Sequence, residues 1–223
     1  MTVAPRTRTV LAWLLFAATF CCLAAGLVVA LALVRPLTPA LLAEGALTAL
    51  LYLGFAVLGL VLTLRRPANP VGWLLAASGL VWSLNVPGEA WTGNLVATGR
   101  PLPPPAQVHA AVTEPLWAPA IALGVTLPLL LLPDGRLRSP RWRWAVAASV
   151  AGGVLSMAAV LEPGPLVSTP IANPLALDGL GGAVAGALAG LGTLLHVGSL
   201  VAALVCLVLR FRASREVERQ QLR

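Results

Sequence analysis

Residues 10–34 read VLAWLLFAATFCCLAAGLVVALALV, twenty-five in succession without a charge. A bilayer core is crossed by about 20 apolar residues rising about 1.5 Å each, so this run is long enough to span. Arg6 and Arg8 precede it as in a signal peptide, but a cleavable apolar segment extends to only about 15 residues. The stretch reads as an uncleaved anchor. Further spans are predicted at 41–64, 70–86, 109–132, 142–161 and 183–209. The third is short, opening at Pro70, and the fourth is interrupted by Glu114, Pro115, Pro119 and Pro128.

The rest of the chain agrees with that first run. Of 223 residues, 58% are apolar and 10% charged, against about 25% charged in a soluble domain; the mean hydropathy is +0.88. One Tyr and four Phe among long Leu/Ala/Val runs favour helices over a barrel with aromatic girdles. The predicted fold is all-α: a polytopic membrane protein with six transmembrane helices over 1–209 and a basic tail helix over 210–223.

Six spans place both termini on one side, and arginine selects the side. Arg6, Arg8, Arg65, Arg66, Arg136, Arg138, Arg141, Arg143, Arg210, Arg212, Arg215, Arg219 and Arg223 share one face with Asp134, Glu216 and Glu218, giving it +10. Arg35 and Arg100 share the other with Glu44, Glu89, Glu114, Glu162 and Asp178, giving it −3. The arginine-rich face is therefore expected in the cytoplasm of a plasma-membrane protein, against an anionic inner leaflet. The same distribution accounts for the net charge of +7 and removes nucleic acid as an expected partner. Expected outer connections are 35–40, 87–107 (ending in the stiff Pro101–Pro105 run) and 162–182. None is long enough for a soluble module, and no internal repeat is evident.

Chemistry-bearing residues are few. Glu44, Glu89 and Glu114 are acids near the outer interface, where a carboxylate is costly unless wet or partnered. Hydrated positions marking helix starts would explain them; so would an outward pocket shared with Asn85, Trp82, Trp91 and Trp117, whose other role is the aromatic belt. Glu44, Glu89, Glu114, Trp82 and Trp117 are the expected signal-input set. His196 lies deep in the sixth span and is expected to hydrogen-bond a neighbouring helix, while His109 is interfacial. Gly182, Gly186 and Gly190 form a tandem GxxxG, expected to pack on another helix of the same chain, with a homodimer as the alternative; Ala148 and Gly152 offer a similar stripe. Arg136, Arg138, Arg141, Trp142, Arg143 and Trp144 form a basic, aromatic turn suited to inner-leaflet headgroups. Cys21, Cys22 and Cys206 lie in apolar runs without metal-ligand spacing. No nucleophile–base pair, phosphate loop or metal motif is present, so neither catalytic residues nor a metal or other cofactor are expected.

Three segments carry a resemblance. Arg66-Pro-Ala-Asn-Pro-Val-Gly-Trp-Leu-Leu75, Leu129-Leu-Leu-Leu-Pro-Asp-Gly-Arg-Leu-Arg-Ser-Pro-Arg-Trp-Arg143 and Arg210-Phe-Arg-Ala-Ser-Arg-Glu-Val-Glu-Arg-Gln-Gln-Leu-Arg223 resemble, in that order, the membrane input region of actinobacterial two-component sensor histidine kinases. The similarity spans essentially the whole chain. It implies signal input, with output through Arg212, Arg215, Glu216, Glu218 and Arg219. In the family a kinase core follows such a segment. No phosphoacceptor histidine or ATP-binding residue maps onto residues 1–223, so the expectation is a module truncated before its catalytic core, the core lying in cis or supplied in trans. The competing expectation is a small stand-alone transporter or channel, for which the broken fourth span, Glu44, Glu114 and His196 speak.

Overall fold

The computed structural model describes residues 5–34, 38–167 and 171–221, with side chains described for 6–34, 38–167 and 171–212. Arg35, in the expected first outer turn, lies outside the described residues, as do the side chains of Arg215, Glu216, Glu218 and Arg219.

Nine α-helices are described: α1 (Pro5–Leu33), α2 (Pro39–Arg65), α3 (Pro70–Ser83), α4 (Val86–Ala97), α5 (Pro104–Thr113), α6 (Trp117–Ile121), α7 (Leu127–Leu131), α8 (Arg143–Ser156) and α9 (Gly179–Gln221). They build six segments long and apolar enough to cross a bilayer. Among the described residues the only β pairing is an isolated bridge between Pro165 and Ala172. The chain is an all-α, multi-pass membrane protein.

Local chemistry sets the helix starts. Thr38 caps α2 by accepting from Leu41 N, and Asn69 caps α3 by accepting from Val71 N. In both, proline occupies the first helical position, where its missing N–H is no loss.

The third span is longer than predicted. Residues 87–97 were expected in an outer connection, yet they are helical: α4 follows α3 after a two-residue turn at Leu84 and Asn85, and together they extend the span from Pro70 to Ala97. Asn85 keeps helical dihedrals (φ −78°, ψ −28°), and Glu89 N bonds Asn85 O at 2.9 Å. Pro87 falls in the first turn of α4, so a second helix starts within the same span where the sequence reads as a connection. The fourth span likewise begins earlier, at Pro104. It is interrupted as its prolines suggest, by a 3₁₀ turn at Glu114–Leu116 and a π turn at Ala122–Thr126.

Packing divides into two lobes that meet along the fourth span. In one, α2 lies against α3, and α1 against α2, α3 and α4; in the other, α8 lies against α9. Both rest on glycine. A Cβ on Gly59 would collide with the backbone of Ala76, and one on Gly192 with that of Leu155 and Ser156.

On α9 the buried positions are Gly182, Ala185, Ala189, Gly192, His196, Ser199, Ala203 and Cys206. Their alternating spacing of three and four is the seam of a left-handed helix pair, and all but His196 are small. The predicted glycine face is therefore corrected. Gly182 meets Pro163 and Leu177 of its own preceding loop, Gly186 meets the Glu162 side chain, and Gly190 faces open space. Gly192 and Gly152 make the close helix contact instead. A stripe's facing depends on where the partner crosses, which spacing does not encode.

Candidate functional site

Polar side chains gather at both ends of the bundle. At the acid-bearing end, Asn85 sits where α3 passes into α4, Thr113 at the last turn of α5. The Thr113 hydroxyl donates to Asn85 Oδ1 at 2.7 Å and also reaches His109 O at 2.8 Å. Asn85 Nδ2 in turn donates to Glu89 Oε1. This short chain ties the third span to the fourth through the Asn85 amide, which also holds the Glu89 carboxylate. Glu44 on α2 adds a second negative charge to the field at Glu89, and Tyr52 on α2 stacks on Trp82 of α3 with ring centroids 5.4 Å apart. Among the described residues neither Glu44 nor Glu89 has a cationic partner within ion-pair distance, and both are exposed.

Not all of the predicted input residues belong here. Glu44, Glu89 and Trp82 come together, whereas Glu114 and Trp117 face the other lobe. Glu114 Oε1 accepts from Val167 N at 2.9 Å, which anchors the 162–178 loop. Trp117 meets the His196 ring edge to face at 5.7 Å. Neither is a free group at the node. Trp91 and His109 line a shallow apolar groove with Val29, Leu33, Pro87 and Gly88, and the His109 imidazole lies flush on Gly88, where a Cβ would collide with the ring.

The loop between α8 and α9 turns on a residue sequence reasoning passed over. Asn173 Nδ2 donates to Val160 O at 3.0 Å and Glu162 O at 2.9 Å, while its Oδ1 accepts from Leu175 N at 2.9 Å. Leu166, Ile171 and Leu175 then pack on Ala110 and Ala111. The preceding proline-rich chain offered no signal for it, because Asn173 acquires its partners only once the loop has closed.

At the arginine-rich end, the three segments that carry the family resemblance converge. Asn69, besides capping α3, donates to Pro133 O at 3.5 Å. Gly135 takes φ +72° and presses against Asn69 and Pro70 so closely that a Cβ would fall 2.7 Å from Pro70 Cδ; glycine is required there on both counts. Arg210, on α9, donates from Nη2 to Leu130 O at 2.8 Å and to Arg136 O at 2.9 Å. A guanidinium on the last carbonyls of a helix also suits the negative end of its dipole. Leu130, Ala203 and Cys206 form a buried cluster beneath, with Leu137 and Trp142 packed against it. Trp142, expected as a lipid anchor, is thus half-buried within the protein, whereas Trp144 is 69% exposed with the Arg143 guanidinium 5.3 Å from its ring centroid. Arg136, Arg138, Arg141, Arg143 and Arg212 are exposed.

His196 departs from expectation. It was predicted to hydrogen-bond a neighbouring helix, but among the described residues neither ring nitrogen has a partner. The described His, Cys, Asp and Glu side chains form no group able to hold a metal, and all three cysteines are free. Comparison with protein-family models, curated proteins and solved structures finds no match.

Proposed function

We propose that this chain is the signal-input module of a sensor histidine kinase, seated in the plasma membrane with both termini in the cytoplasm and without catalysis of its own. The observation that carries this reading is the meeting of segments 66–75, 129–143 and the start of 210–223 at one end of the bundle, through Asn69, Gly135 and Arg210. These stretches are far apart in sequence, and a shared junction gives them a common physical task. That task is to fix the register of α9 where it leaves the membrane.

The path has a start and an end. Glu44 and Glu89 face outward at the acidic node, which Asn85 and Thr113 couple to the fourth span. The fourth span meets α9 at Leu130 and Arg210, and α9 continues as one helix to Gln221. A continuous helix transmits rotation or translation that a flexible loop would absorb. The exposed arginines and Trp144 hold the junction against anionic headgroups. A kinase core joined in cis or in trans would receive the movement, and a homodimer would present two such helices; nucleic acid has no place in this reading.

The experiment is a fusion of residues 1–223 to a histidine-kinase core of the resembling family, reconstituted in vesicles. Glu44→Gln with Glu89→Gln should change autophosphorylation several-fold, while Arg100→Gln, at the same end but away from the node, should not. Residues 1–223 alone should neither bind ATP nor take phosphate from it. Indifference of the fusion to the paired substitution would remove the node from the reading. A second reading, transport, draws on the π turn at Ala122–Thr126, since such turns often mark functional positions; solute or proton flux through vesicles containing the isolated chain would favour it.

A further inference from the structure

His196 is the one bulky member of the α9 seam. Its imidazole is 2% exposed, and among the described residues both ring nitrogens are unpartnered. Ser149 and Ser156, buried on the facing side of α8, have hydroxyls in the same condition. This is not the common fate of hydroxyls in the bundle. Those of Thr19, Thr193 and Ser199 each donate to a carbonyl of their own helix. Gly152 lies between the two serines, and a Cβ there would fall 2.7 Å from His196 N. The helices touch at this level, with Trp117 closing one side.

Among the described residues no counter-charge faces the ring. From α8 the facing residues are Ser149, Gly152 and Ser156, and from α6, Trp117; the π turn, α7 and the 3₁₀ turn at Met157–Leu161, which also pack on α9, carry no ionisable residue. Along the seam the next ionisable groups are Glu162, beside Gly186, and Cys206, each about 15 Å away by helix rise, with Arg210 beyond. Glu114 lies three residues before Trp117 and is bonded to Val167 N.

We infer that His196 is a proton-binding site whose occupancy parts α8 from α9. A neutral imidazole can remain dry at modest cost. An unpaired imidazolium in the same place costs several kcal/mol more, and water is the only partner able to relieve it. Water enters only if the seam widens, because glycine backbones already touch there. Once inside, it bridges the imidazolium N–H groups to the waiting Ser149 and Ser156 hydroxyls. The proton comes from a hydronium ion of the bulk, relayed through that water: one O–H bond of the hydronium breaks, one N–H bond forms on the unprotonated ring nitrogen, and neutral water remains. The linkage is reciprocal: any event that separates the two helices strengthens proton binding at His196. This inference does not depend on the kinase reading.

The test uses full-length protein with ¹⁵N-labelled imidazoles in lipid nanodiscs, titrated from pH 8 to about pH 5, the range in which imidazole ordinarily changes charge. Ring nitrogen shifts report protonation of His196, distinguished from His109 by a His109→Gln variant. Amide exchange, expressed as protection relative to the unfolded rate at each pH, reports opening. Protonation of His196 should coincide with a loss of protection of about tenfold or more in residues 149–156 and 189–200, and His196→Gln should retain protection throughout. The shared midpoint is measured on the unsubstituted chain, so the test stands even if the variant fails to fold. A ring that stays neutral over this range, or that protonates with protection unchanged, overturns the inference.

Discussion

Gly190 and Gly192 stand two residues apart on α9 and differ completely in surroundings. Gly190 faces open space, while Gly192 has the backbone of Leu155 and Ser156 against it. Gly192→Leu should therefore lower stability by about 1–3 kcal/mol or prevent folding, since backbones cannot yield as side chains do. Gly190→Leu should stay within about 0.5 kcal/mol. Thermal unfolding of both variants in detergent checks the pair, and equal effects would contradict the seam described above. The sequence displays both glycines alike, and the GxxxG spacing favours the wrong one. What identifies Gly192 is its membership of the alternating three-and-four series that includes Ala185, Ala189, His196 and Ser199, together with the glycine opposite it, Gly152. The acids behave similarly. Glu44 and Glu89 were legible as membrane-proximal carboxylates, but that Glu114 bonds Val167 N depends on a loop fold that no local pattern reveals.

Elements were more legible than residues, because crossing a bilayer imposes a composition on every twenty-residue window. All six spans could be placed from apolar runs. The exception was α4, hidden behind Asn85, Pro87, Gly88, Gly93 and Asn94, residue types that ordinarily mark turns. They admit a second helix in the same span because Pro87 falls in its first turn, where no intrahelical N–H is needed, and Asn85 retains helical dihedrals. The clasp between α7 and α9 was likewise unreadable: Arg210 looked like one of many basic residues beyond a span, yet its Nη2 holds Leu130 O and Arg136 O. Arg210→Gln should release that junction at a cost of about 2 kcal/mol, the scale of hydrogen bonds to a charged donor. Faster amide exchange around 129–137 and 206–212, with the far end of α9 unchanged, is the expected result. Uniform exchange along the whole helix would mean that the clasp does not act locally.

For the molecule as a whole, the arginine distribution sets the expected orientation. With Cys21, Cys22 and Cys206 replaced by alanine, a cysteine at Arg138 should resist a membrane-impermeant thiol reagent applied to intact cells, and one at Gly99 should react. The reverse pattern would invert the protein and place its acidic node in the cytoplasm. Orientation alone, however, says nothing of transmission. At about 1.5 Å per residue, α9 extends roughly 65 Å, about twice the thickness of a bilayer core, and the proposed function rests on its acting as one rod. The most direct measurement inserts one to four alanines after Arg212 in the kinase fusion and records autophosphorylation for each. A rigid helix turns about 100° per added residue, so activity should oscillate with insertion length and return towards its starting level at four, just over one full turn. Activity independent of the number inserted would contradict transmission through α9.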